Sequence, residues 1–260
     1  MRFAATGWRL FDTDPDLLVW LQTAGPAALR AGQDPAAQAQ WLRHGETWFA
    51  GVGSLPNDAT GAVVGSGALR SAALDWAQAQ SGLTALDAAQ VSIVYPGYPR
   101  QDAAESDTAH RYRVHRDAAH VDGLLPEGPM RRRYLREPHA WVLGVPVTAC
   151  NADASPLVVW EGSHQVMRTY FAQVLDPHPP AKWDEIDLTE TYHAARKACF
   201  EQCRRVEITA QPGQAYVLHR LALHGVAPWR AGAVAPVEGR VILYFRPEMT
   251  GGTHDWLSAP

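Results

Sequence analysis

Short segments rich in β-branched and aromatic residues, each bounded by proline, glycine or aspartate, follow one another from residue 91 to residue 245. Several short strands with turn residues between them favour an antiparallel sandwich or jelly roll over alternating strand–helix units. One insertion, at about 180–205, interrupts the series, and its 189–205 part is predicted to be helical. We therefore predict a mainly β protein with flanking helices, of the α+β class. The predicted strands are 91–95, 112–115, 141–148, 157–160, 206–209, 215–218 and 240–245.

The first ninety residues have a different composition and are predicted to form helices and loops. Asp14-Pro15-Asp16 is typical of a helix start, and stretches rich in alanine and glutamine at 35–43 and 71–80 favour two further helices. Glycine, asparagine and proline make 51–67 a predicted loop. No linker divides the chain, so one domain is expected over 1–260. Its predicted parts are a helical support (1–90), a β core (91–247) and a C-terminal tail (248–260).

The charge and the hydropathy of the chain exclude several classes of partner. With 23 basic and 27 acidic side chains the formal charge is −4, which argues against a protein that mainly binds nucleic acid or an anionic membrane. No stretch reaches the roughly 18 apolar residues of a transmembrane helix. Three cysteines are too few for a disulfide framework, so a cytoplasmic protein, either a monomer or a homodimer, is expected.

A His-x-Asp motif, His120-Val121-Asp122, is the strongest local feature. On an extended strand residues i and i+2 point to the same face, so His120 and Asp122 can share one metal ion. A second histidine must come from elsewhere, and His224 is the candidate. Two imidazoles and one carboxylate on one side of an iron ion leave coordination positions open, as non-haem Fe(II) oxygenases require.

Further motifs surround these residues in a fixed order. The run Pro-Leu-Val-Val-Trp-Glu-Gly-Ser-His at 156–164 follows Asn151, Pro-Gly-Gln at 212–214 leads into the strand before His224, and an arginine opens the last strand. This ordered set resembles the phytanoyl-CoA dioxygenase family of Fe(II)- and 2-oxoglutarate-dependent oxygenases over about 91–247. The family's Asn-Gly and Gly-Asp are Asn-Ala and Gly-Gln in this chain, and neither difference falls on a ligand position.

The resemblance implies a fold, a metal and a co-substrate. The fold is a double-stranded β-helix, the jelly roll of cupin-like proteins, buttressed by the N-terminal helices. His120, Asp122 and His224 would bind Fe(II), and Arg240 would pair with the distal carboxylate of 2-oxoglutarate, a task that suits a planar bidentate cation. Arg246 is the alternative partner, because it lies on the same strand an even number of residues away.

The resemblance also implies a reaction. 2-Oxoglutarate would be decarboxylated to succinate and CO₂ with O₂ as the oxidant, and a C–H bond of a small organic substrate would be hydroxylated. Relatives that halogenate carry a small residue in place of the carboxylate ligand, so Asp122 favours hydroxylation. The run 131–136, which we call the arginine-rich segment, follows the proposed ligands and is a candidate for attracting an anionic substrate.

A second His-x-Asp, His115-Arg116-Asp117, lies five residues before the first. Because five is odd, the two pairs would face opposite sides of an unbroken strand, and only one pair can point into the core. We favour His120 and Asp122, since the glycine and proline that follow place this pair at the end of a strand, where metal ligands usually lie.

Two other functions fit the same fold. A cupin-like isomerase or hydrolase would bind a divalent metal without 2-oxoglutarate, so Arg240 would be dispensable and O₂ would not be consumed. A non-catalytic ligand-binding β-sandwich would keep its affinity after loss of His120 or His224. Both alternatives leave the ordered motifs to coincidence. Four further residues are interpreted as structural: His164, His219, Cys199 and Cys203.

Overall fold

The computed structural model describes residues 2–259 as two main antiparallel sheets with helices on their outer faces, and a separate two-stranded sheet at 124–135. The strands are β1 (Trp8–Phe11), β2 (Leu42–Arg43), β3 (Trp48–Gly51), β4 (Gln90–Val94), β5 (Leu124–Glu127), β6 (Arg132–Leu135), β7 (Trp141–Pro146), β8 (Leu157–Glu161), β9 (Arg204–Ile208), β10 (Ala215–His219), β11 (His224–Val226) and β12 (Arg240–Phe245). The helices are α1 (Arg2–Thr6), α2 (Pro15–Gln33), α3 (Pro35–Trp41), α4 (Ala72–Ser81), α5 (Asp107–His115), α6 (Ser163–Leu175), α7 (Thr189–Gln202) and α8 (Gly252–Ser258), with a 3₁₀ turn at Pro180–Glu185.

The strand order identifies the fold. The large sheet runs β1-β10-β7-β12-β4-β3-β2, and the small sheet runs β11-β8-β9. A bridge between His120 and His224 extends the small sheet beyond β11. From β4 onward the chain passes from one sheet to the other: the bridge at His120 is in the small sheet, β7 in the large, β8 and β9 in the small, β10 in the large, β11 in the small and β12 in the large. This winding is a double-stranded β-helix with flanking helices, as the sequence predicts.

The two faces of the large sheet bury different side chains. Along β12, Val241, Leu243 and Phe245 belong to a core shared with helices α2 and α4. The intervening Ile242 packs instead between the two sheets, where Tyr216 of β10 is fully buried. Because strand side chains alternate, Arg240 at the start of β12 also points between the sheets.

The predicted helix start at residue 14 is confirmed. The Asp14 carboxylate accepts a hydrogen bond from the backbone N–H of Asp16 at 2.9 Å, and Pro15 occupies the first helical turn of α2, where its missing N–H costs nothing. The helix then buries one apolar face, including Leu17 and Trp20, against the large sheet. Among the described helices, none combines the length and the apolar character needed to cross a bilayer.

The segment 112–115, predicted to be a strand, is instead the last part of helix α5. The Ser106 hydroxyl accepts from the Ala109 N–H at 3.3 Å and caps this helix, and Asp107 and Arg113 lie at the ends that the helix dipole favours for their charges. These end signals act together over the whole helix, so they outweigh four residues of β-like composition.

The prediction of helices and loops alone was also wrong for part of the first ninety residues. Strands β1, β2 and β3 lie there, and all three join the large sheet. Each has at most four residues, too few to show a period. β1 and β3 become strands because β10 and β4, further along the chain, offer them backbone partners, and β2 then pairs with β3.

Candidate metal centre

Three side chains converge at one end of the small sheet. His120 Nε2 lies 3.2 Å from Asp122 Oδ1, and His224 Nε2 lies 3.7 Å from Asp122 Oδ2. The three candidate donor atoms all lie within 4.8 Å of one another, and no other group of histidine, cysteine or carboxylate ligands of this kind occurs within 2–259. The structure therefore brings together the three predicted ligands, and two imidazoles with one carboxylate suit a divalent transition metal.

Both imidazoles are held in the orientation that a metal requires. His120 Nδ1 lies 3.0 Å from the carbonyl oxygen of Ala118, and His224 Nδ1 lies 2.9 Å from that of Ala222. With the proton on Nδ1 each ring donates to its carbonyl, which leaves the Nε2 lone pair facing the site. This pattern is the one expected of a metal-binding histidine with its outer hydrogen bond made.

A backbone ladder brings the two histidine segments side by side. The His120 N–H donates to the His224 carbonyl at 2.8 Å, and the His224 N–H donates to the His120 carbonyl at 3.0 Å. The Val226 N–H donates to the Asp117 carbonyl at 2.8 Å, and Gly225 lies between these contacts. A Cβ at Gly225 would overlap the Asp117 carbonyl oxygen, so the close approach of the segments needs glycine there.

The charges of the site favour the ligand forms of these side chains. Burial alone would raise the pKa of Asp122, but Arg246, His224 and His120 together hold that pKa well below its usual value. Burial lowers the pKa of His224 to about 4, with Asp122 opposing the shift and His120 adding to it. Asp122 is therefore an anion and His224 a neutral imidazole at neutral pH, as metal binding requires.

Two tyrosines hold the loop on either side of His120. The Tyr112 hydroxyl donates to the Ala119 carbonyl at 2.7 Å, and the Val121 N–H donates to the Tyr192 hydroxyl at 3.3 Å. The guanidinium carbon of Arg196 lies 4.6 and 5.1 Å from the centres of the two tyrosine rings. Helices α5 and α7 therefore fix the backbone that carries the first histidine.

The rival motif at 115–117 does not reach the site. His115 ends helix α5, and the positive φ of Asp117, 52°, turns the chain before His120. The Asp117 carboxylate accepts two hydrogen bonds from Arg205, at 2.7 and 2.8 Å. Asp117 thus joins the ligand loop to β9, and the unbroken strand assumed through both motifs is wrong, because 107–115 is a helix.

Arg205→Met is expected to lower the free energy of unfolding by about 1–3 kcal/mol, because the buried Asp117 carboxylate would lose two hydrogen bonds from a charged donor. Arg204 is the matched control on the same strand, since its side chain is 74% exposed, against 39% for Arg205, and it pairs with Glu161. Arg204→Met is expected to cost less than about 1 kcal/mol. Urea unfolding of both variants measures the difference, and equal small losses would show that Asp117 gains little from Arg205.

The two candidate co-substrate arginines lie at opposite ends of β12 and have different surroundings. Arg240 is 6% exposed, lies near the hydroxyls of Tyr216 and Tyr244, and its Nη1 has no hydrogen-bond partner. Within 2–259 no carboxylate lies at ion-pair distance from it. Arg246 follows β12, and its Nη1 lies 3.5 Å from Asp122 Oδ2.

The arginine-rich segment contains the whole of β6, and three of its arginines are engaged in structural contacts. Arg132 lies 3.4 Å from the carboxylate of Asp187, and Arg133 donates to the Leu124 carbonyl at 2.9 Å. Arg136 pairs with a glutamate on the neighbouring strand β5. Charges neutralised in this way attract a distant anion weakly, so the segment gives little support to an anionic substrate.

The other residues interpreted as structural lie away from the three ligands. His164 and His219 are buried, with ring centres 4.8 Å apart, and His164 approaches the Ala4 carbonyl. Cys199 is buried in helix α7, and its Sγ lies 3.8 Å from the carbonyl of Ser163. No signal in the sequence indicated the contacts of Tyr112 and Tyr192 with the ligand loop. The sequence pointed to Arg246 only through the even spacing of that residue from Arg240.

No protein-family model matches this chain, and no curated protein sequence matches it either. Solved structures with a similar path of the backbone include EctD from S. alaskensis with 2-oxoglutarate and 5-hydroxyectoine. The similarity has 17% sequence identity and a TM-score of 0.48, and it covers 96% of this chain and 75% of that one.

Two further solved structures are comparably similar. The non-haem α-ketoglutarate-dependent carbocyclase SnoK from nogalamycin biosynthesis has 12% identity and a TM-score of 0.47, over 98% of this chain and 86% of that one. AviO1 from Streptomyces viridochromogenes Tue57 has 13% identity and a TM-score of 0.42, over 96% and 93%. The fold assignment rests on the strand order of this chain and not on these similarities.

Proposed function

We propose that this protein is an Fe(II)- and 2-oxoglutarate-dependent oxygenase of the phytanoyl-CoA dioxygenase type, which hydroxylates a C–H bond of a small organic substrate. The convergence of His120, Asp122 and His224, with both Nε2 atoms facing the same point, carries the proposal. The three cysteines are all free, which fits a reducing compartment, so a cytoplasmic location is part of the proposal.

The donor set fits Fe(II). Two neutral imidazoles and one carboxylate are the ligands of the facial triad, and they leave positions open for a co-substrate and O₂. Bound iron would supply the O₂ and C–H chemistry that no side chain provides, while 2-oxoglutarate would be converted to succinate and CO₂. Asp122 and His224 expose 9% of their side chains, whereas His120 exposes 49%. The substrate would therefore approach from the side of His120.

The state of Arg240 supports an anionic co-substrate between the sheets. A buried guanidinium without a carboxylate partner costs several kcal/mol unless an anion compensates it. The distal carboxylate of bound 2-oxoglutarate would accept a hydrogen bond from the free Nη1 and balance the positive charge of Arg240. The hydroxyl of Tyr216 donates to that of Tyr244 at 3.0 Å, so this pair adds polar groups beside Arg240 without adding a negative charge.

Anaerobic protein with Fe(II) and 2-oxoglutarate is expected to show the weak visible charge-transfer band of the chelated complex. Arg240→Gln should keep the affinity for Fe(II) and raise the Kd for 2-oxoglutarate by roughly 10- to 100-fold, because a hydrogen bond to a charged group contributes about 1.5–3 kcal/mol. Titration of the band measures that Kd.

2-Oxopentanoate, which lacks the distal carboxylate, is the matched ligand control, and Arg240→Gln should not weaken its binding further. A loss of 2-oxoglutarate affinity in Arg246→Gln but not in Arg240→Gln would transfer the carboxylate role to Arg246. Metal binding without any band or O₂ consumption would support the cupin-like isomerase or hydrolase instead.

A further inference from the structure

We propose that Arg246 is a positioning residue that fixes the orientation of the Asp122 carboxylate at the metal centre, and that Gln90 in turn holds Arg246. The inference rests on the proposed function only in so far as His120, Asp122 and His224 bind a metal. It assigns Arg246 a task different from that of Arg240, the proposed partner of the co-substrate.

Arg246 is held from three directions. Its Nη1 lies 3.5 Å from Asp122 Oδ2, its Nη2 donates to Gln90 Oε1 at 2.6 Å, and its backbone N–H donates to Asp87 Oδ1 at 2.8 Å. The side chain is 18% exposed. Gln90 begins β4, which pairs with β12 in the large sheet. The guanidinium is therefore anchored on the large sheet while it contacts a ligand at the edge of the small one.

The contact distinguishes the two oxygen atoms of Asp122. Arg246 approaches Oδ2, whereas Oδ1 is the oxygen that lies 3.2 Å from His120 Nε2. Asp122 itself lies in a turn after the bridge at His120, outside the regular strands. The backbone ladder that fixes the two histidines does not extend to it, so the rotation of its carboxylate must be limited by side chains.

Arg240 at the start of β12 and Arg246 just after its end differ in a way that separates their tasks. The Nη1 of Arg240 has no partner and can accept an external anion, whereas Arg246 is already bound to Asp122 and Gln90. A group that orients a metal ligand from outside typically contributes 10- to 100-fold in metal affinity. A guanidinium acting only through its charge would instead repel a divalent cation, so removing it would tighten metal binding.

The test is a Co(II) titration of the anaerobic full-length protein without 2-oxoglutarate, followed by the visible absorption of the bound ion. Arg246→Gln is expected to raise the Kd for Co(II) at least 10-fold and to change the shape of the absorption bands. Arg246→Lys keeps the charge, but a single ammonium group cannot contact Asp122 and Gln90 at once. The Co(II) affinity of this variant should therefore also be lower than that of the wild type. Gln90→Leu, which leaves the arginine intact, should show a smaller loss in the same direction.

Arg204→Gln is the matched control, since this exposed arginine on β9 pairs with Glu161 and with none of the three ligands, and the Kd of this variant should equal that of the wild type. Circular dichroism and thermal unfolding of each variant exclude a general loss of folding. Unchanged or tighter Co(II) binding in Arg246→Gln, or wild-type binding in Arg246→Lys, would overturn the inference. A wild type that binds no Co(II) would instead contradict the proposed metal centre.

Discussion

His120→Ala is expected to abolish Fe(II) binding at micromolar protein, while His115→Ala keeps it. His120 supplies one of the three donors that meet within 4.8 Å, whereas His115 lies at the end of helix α5 outside that group. Structural zinc sites with four ligands bind with about 10–16 kcal/mol, roughly 3 kcal/mol per ligand. Fe(II) binds more weakly than zinc, so the loss of one ligand corresponds to a weakening on the order of a hundredfold.

Anaerobic Fe(II) titration measures this loss. Succinate release with a panel of substrates then measures the loss of activity that accompanies it. His115→Ala serves as the control because it removes the same side chain from the neighbouring His-x-Asp motif. If His115→Ala lost the metal and His120→Ala retained it, the candidate ligand set would be wrong.

Gly225→Ala is expected to weaken metal binding at least 10-fold while the chain still folds. The new Cβ would overlap the Asp117 carbonyl oxygen, which is fixed by a 2.8 Å hydrogen bond from the Val226 N–H. Strand β11 would have to move away from the segment that carries His120, and metal ligands tolerate displacements of only a few tenths of an ångström. The cost in unfolding free energy is expected to be about 1–3 kcal/mol.

Gly67→Ala is the matched control, because a Cβ there meets no atom within 4 Å. Its Co(II) affinity and its urea midpoint should remain close to those of the wild type. Equal Co(II) affinity in Gly225→Ala and wild type would mean that the two ligand segments can separate without disturbing the site.

Local patterns of sequence were sufficient for most of the β core. The predicted strand 240–245 coincides with β12, and 91–95, 141–148, 157–160 and 215–218 agree with the observed strands to within two residues. Alternation and turn residues are local signals, so they can be read from one chain. The three predicted ligands also converge, because a bridge between strands places His120 opposite His224.

Features set by distant partners could not be read in this way. Helix α5 was missed because its cap at Ser106 and its charged ends act together over nine residues, while its aromatic and β-branched residues resemble a strand locally. The contact of Gln90 with Arg246 joins residues far apart in the chain, and neither carries a motif. Arg246 could be named from its spacing, but its position beside Asp122 follows from how the two sheets pack.

The pairing of β1 with β10 has a consequence for the order of assembly. Trp8 lies opposite Leu218, more than two hundred residues later, and the two halves of the ligand set are separated by about a hundred residues. Closing such long loops delays folding, so during synthesis β1 has no partner strand until β10 has emerged from the ribosome. The ligand set cannot be complete before residue 224 has emerged, and metal uptake should therefore report a chain that extends beyond His224 and no shorter intermediate.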